Sequence, residues 1–201
     1  GAAVESLMPY VAPDGTETLF AASGTSFYNV TAAGAIGAAV QTGLTNARWE
    51  HVNFTVGGTS YLCCFNGTDG PRYWNGSAWI TITGVSSPAI TGSVTPAEIV
   101  SATIFKQRMY LIEKDTLDLH YLPVAGVGGA AAALNISDYL YKGGHLVAAI
   151  PWTLDAGEGA DDHLAVISSE GQVAVFAGTD PSSASTWALM GVCNLGEPIG
   201  K

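Results

Sequence analysis

The chain has 201 residues, 48% of them hydrophobic and only 12% charged, with 25 glycines. That apolar content supplies a sizeable core and excludes intrinsic disorder, while the scarcity of Glu, Lys and Leu excludes long amphipathic helices. Seven basic against seventeen acidic residues give a formal charge of -10, which repels DNA, RNA and anionic membranes, so no specific nucleic-acid binding is expected.

From the N-terminus, Val4–Val11 (VESLMPYV) reads as an apolar strand, and Thr18–Val30 (TLFAASGTSFYNV) as a hairpin about an SGTS turn. The same plan returns three times. Trp49–Val56 (WEHVNFTV) precedes the hairpin Ser60–Trp74 (SYLCCFNGTDGPRYW), and Val100–Gln107 (VSATIFKQ) precedes Arg108–Val124 (RMYLIEKDTLDLHYLPV). Leu146–Thr153 (LVAAIPWT) then precedes His163–Ala177 (HLAVISSEGQVAVFA). A fourth strand, opened by a Trp, follows in two of the units, at Ser77–Thr83 (SAWITIT) and Thr186–Val192 (TWALMGV). Between units lie Gly-, Ala-, Ser- and Thr-rich connectors at Thr31–Thr42, Gly84–Ala97 and Ala125–Ala133, which read as loops.

If Met8, Asn53, Ile104 and Ile150 are equivalent, the repeats are 45, 51 and 46 residues long. Such periods suit four-stranded propeller blades and are too long for leucine-rich or ankyrin repeats. The expected fold is therefore all-β, a β-propeller-like array of about four hairpin-rich, four-stranded units forming part of a larger propeller. The units span residues 1–47, 48–97, 98–144 and 145–192, with 193–201 opening a fifth. A lone blade leaves both faces apolar, so blades must stack, and Trp49, Trp79, Trp152 and Trp187 are the natural filler between them.

No catalytic, cofactor-binding or metal-binding residue is predicted. The chain has no G-x-S-x-G elbow, P-loop, dinucleotide-binding glycine motif, H-E-x-x-H or C-x-x-C. His51, His120, His145 and His163 share no ligand spacing and read as structural or solvent-facing. Cys63, Cys64 and Cys193 make no disulfide framework and read as buried thiols. Five Asn-x-Ser/Thr sequons begin at Asn29, Asn53, Asn66, Asn75 and Asn135, a number that abundant Ser and Thr produce by chance. The acidic run Asp155–His163 is oxygen-rich enough to attract Ca²⁺ but lacks the alternation of an EF-hand, and reads as a solvated loop. No segment approaches the roughly 20 apolar residues of a membrane span, so no membrane insertion is expected, and no basic stretch follows Gly1 to mark a signal peptide.

Three segments, RWEHVNF (48–54), YLCCFNGTDGPRYWNGSAW (61–79) and FKQRMYLIEKD (105–115), resemble the propeller of tail nozzle or tail-hub proteins of short-tailed bacteriophages and prophages. Blades of that family run from a Trp-containing strand through an aromatic-Gly turn to a W-N/D-G-x-x-W strand. The resemblance implies a non-enzymatic structural component of a virion tail, assembling with copies of itself and other tail proteins around the DNA exit channel. An acidic conduit would let DNA slide past without counterion-releasing contacts. The alternative is an extracellular lectin- or adhesin-like propeller binding carbohydrate or protein, although the divergent turns SGTS, NGTDG, KDTL and SEGQ argue against one site per blade. A propeller hydrolase ranks last, since no unit carries the S-x-D-x-G-x-x-W turn of sialidase-type propellers.

Overall fold

A computed structural model describes residues 2–155, 160–196 and 198, and within them the chain forms four β-sheets in succession. The first holds β1 (Val4–Val11), β2 (Glu17–Ser23) and β3 (Ser26–Asn29), and the second β4 (Glu50–Val56), β5 (Thr59–Phe65), β6 (Arg72–Trp74) and β7 (Trp79–Thr81). The third sheet is five-stranded. It runs in the order β8 (Ile90–Gly92), β12 (Gly129–Asn135), β11 (Asp118–Tyr121), β10 (Arg108–Glu113), β9 (Ile99–Phe105). The fourth contains β13 (Leu146–Asp155), β14 (Ala160–Ser168), β15 (Gln172–Gly178) and β16 (Trp187–Asn194). Every pairing is antiparallel except β12 with β8, which is parallel.

Turn chemistry sets the registers. Between β4 and β5, Val56 faces Thr59 across Gly57 and Gly58, whose φ of 58° and 81° suit the two-residue hairpin turn that matches strand twist. The equivalent turn between β9 and β10 places Lys106 and Gln107 at φ of 48° and 60°, the same backbone made without glycine. The sequons have a local role too. The side-chain oxygens of Asn29, Asn66, Asn75 and Asn135 each accept the backbone N–H two residues on, at 3.0, 3.1, 3.0 and 3.2 Å. An Asn followed at the second position by Ser or Thr is thus a turn device in four of the five cases.

Period-two alternation explains how the sheets stack. On β5, Leu62 and Cys64 join the core shared with the first sheet, while Cys63 and Phe65 join the core shared with the third. On β10, Met109 and Leu111 point to the second sheet while Tyr110 and Ile112 point to the fourth, so every residue of that strand is buried. Three cores therefore fill the three gaps between four sheets. The first strand of each sheet makes the lateral contact: β1 packs on β4 and β5, these pack on β9, and β9 with β10 packs on β13. No comparable interface joins β13 back to β1 among the described residues. The outward faces of the first and fourth sheets are consequently left open.

Several expectations need correction. Met8, Asn53, Ile104 and Ile150 all lie on first strands, but Met8 is buried while Asn53 and Ile150 are exposed, so they are equivalent as strands and not as faces. Two connectors read as loops hold strands. Ala125–Ala133 contains the start of β12, because alternate small residues with Ala131 inward pack against β11, and Gly84–Ala97 contains β8, which crosses from the second sheet to the edge of the third. The first sheet has three strands, its fourth reduced to a single bridge between Phe27 and Gln41. Trp152, placed between blades by the sequence reading, lies 45% exposed on the open face of the fourth sheet. Cys193 is exposed rather than buried, on the edge strand β16, whereas Cys63 and Cys64 are fully buried and all three are free.

Candidate functional site

The tryptophans show what holds the units together. Trp74 and Trp79 flank the W-N-G-x-x-W turn of the second sheet, where Asn75 Oδ1 accepts N–H bonds from Ser77 and Ala78 at 3.0 and 2.8 Å. Both indoles meet Phe20 of the first sheet edge-on, with centroids 5.3 and 4.9 Å away. Trp187 of the fourth sheet stacks on Tyr110 of the third at 6.0 Å and on its own Phe176 at 5.5 Å. Trp49 completes the first gap with Phe27 at 5.0 Å. Trp74 carries a packing role that the sequence reading gave to Trp152.

The starts of the first strands gather at one end of the array, and two clefts open there. One of about 310 Å³ is lined by Glu5, Ser6, Arg48, Trp49, Glu50 and Asn66 among others, and one of about 250 Å³ by Lys114, Asp115, His145 and Leu146. Val100 at the start of β9 borders both. In the larger cleft, Arg48 Nε pairs with Glu5 Oε1 at 3.2 Å in a largely exposed contact, which makes it a weak clamp. Trp49 is only 5% exposed, its backbone N–H held by Ser6 Oγ at 2.8 Å and its indole N–H by Asn46 O at 3.0 Å, so it is a wall rather than a stacking platform.

The remaining candidates scatter. His51 is half-buried on β4, where desolvation ahead of the opposing pull of Glu50 holds its pKa below the usual imidazole value. His145 sits in the smaller cleft, and His163 is buried opposite Trp152. His120, 1% exposed, has Nδ1 at 3.2 Å from Ser93 Oγ and Nε2 at 3.0 Å from Glu113 Oε2. Glu113 Oε1 in turn accepts the N–H of Thr95 at 2.7 Å. Residue spacing between histidines could not find this cluster. The signal was Glu113 itself, a lone carboxylate closing the otherwise apolar run MYLIE, which must have a buried partner.

Of the acidic run Asp155–His163, residues 156–159 lie outside the described residues. Asp162 accepts from Thr153 Oγ1 at 2.7 Å and pairs with Lys106 at 3.3 Å, and these contacts hold its carboxyl below the usual range. Among the described residues no group of three or more His, Cys, Asp or Glu side chains is arranged to hold a metal. No helix there is long and apolar enough to cross a membrane.

No family model matches the chain, and no curated protein matches it. Among solved structures it matches BBS1N, a β-propeller crystallised in complex with ARL6DN and soaked with lead, with a TM-score of 0.50 and 15% identity. The fold is β-propeller-like. The match covers 98% of this chain and 57% of BBS1N, so the array corresponds to somewhat more than half of that chain. At this identity the likeness concerns the fold alone.

Proposed function

We propose that this propeller-like array is a structural component of a short-tailed bacteriophage or prophage tail, a nozzle or hub element that assembles with copies of itself and other tail proteins. The observation that supports the reading best is the pair of open apolar faces at the two ends of the array. On the fourth sheet, Ile150 and Trp152, 49% and 45% exposed, lie on the face turned away from the core that Leu164, Val166, Ala174 and Phe176 build with the third sheet. On the first sheet, Leu7 is 56% exposed, and Val4, Ala21, Tyr28, Val30 and Ile36 line a shallow apolar cleft of about 290 Å³. Faces of this kind lie against another surface in a working assembly. The W-N-G-x-x-W turn that carries the resemblance to tail proteins is also the element that locks the second unit onto the first. A charge of -10 fits a channel wall along which DNA slides without being gripped.

The structural role itself requires no catalysis. Tandem mass spectrometry of purified virions or induced prophage particles tests the reading: peptides of this chain are expected in the tail fraction at near-stoichiometric amounts. Their absence from intact particles overturns it.

A further inference from the structure

Each sheet of the array has a forward face and a rear face, and the gaps between sheets are all filled in the same sense. In the second sheet, Leu62, Cys64 and the indoles Trp74 and Trp79 look back to the first, while Cys63, Phe65 and Tyr73 look forward to the third. In the third, Met109 and Leu111 look back, and Tyr110 and Ile112 look forward. The two faces left over at the ends are therefore of opposite kinds. The first sheet offers a rear face, because Met8, Phe20 and Phe27 occupy its forward side, and the fourth offers a forward face, because Leu164, Val166 and Phe176 occupy its rear.

The leftover faces carry the residues that a further gap would use. On β4, Val52, Phe54 and Val56 project forward onto the core shared with the third sheet. Ile150 and Trp152 take that position on β13, where Pro151 between them pairs with the rear-facing Leu164, and both are exposed. On β1, Met8 and Tyr10 point forward, so Leu7 and Val11 point to the rear, where both are exposed. The pairs Leu7–Ala21 and Ala21–Tyr28 extend that rear face across the sheet. β1 and β13 are also first strands, the strands through which the lateral contacts within the array are made. The forward face of the fourth sheet thus continues the stack onto a rear face like that of the first, but the two lie at opposite ends of one chain.

We propose that the occupant of both faces is a second copy of this chain, placed head to tail so that the fourth sheet of each copy packs on the first sheet of the other. Unlike faces joined without closure run on as a filament; joined twice about a two-fold axis, they close. Propellers close with about four to eight blades, and two arrays of four sheets make eight. Closure covers both apolar faces at once, and after one contact has formed the other is intramolecular. Trp152 then fills a gap between sheets as Trp49, Trp79 and Trp187 do, with the gap lying between copies. The proposal rests on the self-assembly in the reading above and names its partner and geometry, without depending on the assignment to a tail.

Cross-linking of the purified chain tests this, with the exposed Cys193 first replaced by Ser so that the only native thiols are the buried Cys63 and Cys64. Leu7→Cys and Ile150→Cys chains, made separately and by co-expression, are treated with a short bis-maleimide and read by intact mass. Head-to-tail pairing is expected to link the co-expressed chains about ten-fold or more over either chain alone. The double variant Leu7→Cys/Ile150→Cys is expected to give a doubly linked dimer at twice 20.6 kDa with no ladder above it. Linked dimers from Leu7→Cys alone or Ile150→Cys alone show like faces meeting and overturn the proposal, as do a ladder of trimers and longer species, or no linkage in any sample. The two readings fail separately: the linked dimer with no peptides in tail particles overturns only the tail assignment, and tail peptides without the dimer overturn only the ring.

Discussion

Replacing Phe20 by Ala tests the stacking of the units where it is most concentrated. Phe20 is 1% exposed, pairs across the sheet with Met8 and Asn29, and projects its ring between Trp74 and Trp79 of the next unit. Removing it deletes a fully buried ring and leaves a cavity, a change worth about 3–5 kcal/mol, part of which is the two edge-to-face contacts at about 0.5–1.5 kcal/mol each. For a chain of this size each kcal/mol lowers the Tm by about 2–4 °C, so a loss of 4 kcal/mol corresponds to roughly 8–16 °C. Thermal melts followed by tryptophan fluorescence suit the measurement, because the reporting indoles touch the deleted ring. Phe20→Leu refills most of the volume and is expected to cost under about 1.5 kcal/mol. A loss below about 1 kcal/mol for Phe20→Ala would refute the packing of the first unit on the second.

Four further outcomes follow from named contacts. Burial raises the Cys63 and Cys64 thiols far above their ordinary range while Cys193 is exposed, so of the three thiols a disulfide reagent should titrate one in the native protein and all three in denaturant. Partial burial works to raise the pKa of Asp69, but hydrogen bonds from Thr45 and Asn66, with the charge of Arg72, outweigh it and hold the carboxyl below its usual value. Its contribution is therefore present above an unfolded pKa of about 4 and is lost as pH falls through the lower folded value; Asp69→Asn should cost about 1–2 kcal/mol at pH 7 in urea melts, and the gap should close in acid. Gln107→Gly relieves a left-handed backbone at φ 60° and should stabilise by up to about 1 kcal/mol, read as a rise in the urea midpoint. Asn75→Ala removes the acceptor for the Ser77 and Ala78 N–H groups, and a loss of about 1 kcal/mol is expected in the same assay.

The three central strands of each unit were legible because alternation and turn residues are local. Val4–Val11 matches β1 residue for residue, and the hairpin Arg108–Val124 contains β10 and β11. What escaped was non-local. β8 and β12 are built of Ile-Thr-Gly and an alanine run, too weakly patterned to announce strands, and are set by pairing with each other and with β11. Trp152 was expected between blades and lies exposed, while Trp74, given no such role, packs on Phe20, because a sequence shows that a tryptophan recurs but not whether its face meets another sheet or an open end. The Ser93–His120–Glu113 cluster draws on the crossover connector and on two strands, and only the fold brings the connector to them.

The most direct test of the account is the mass of the 201-residue chain in solution, by light scattering across a range of concentrations. The open faces carrying Leu7 and Ile150 predict self-association that Leu7→Asp or Ile150→Asp weakens by introducing a charge into the apolar contact. A wild-type chain that stays strictly at its monomer mass of 20.6 kDa at every concentration would contradict it.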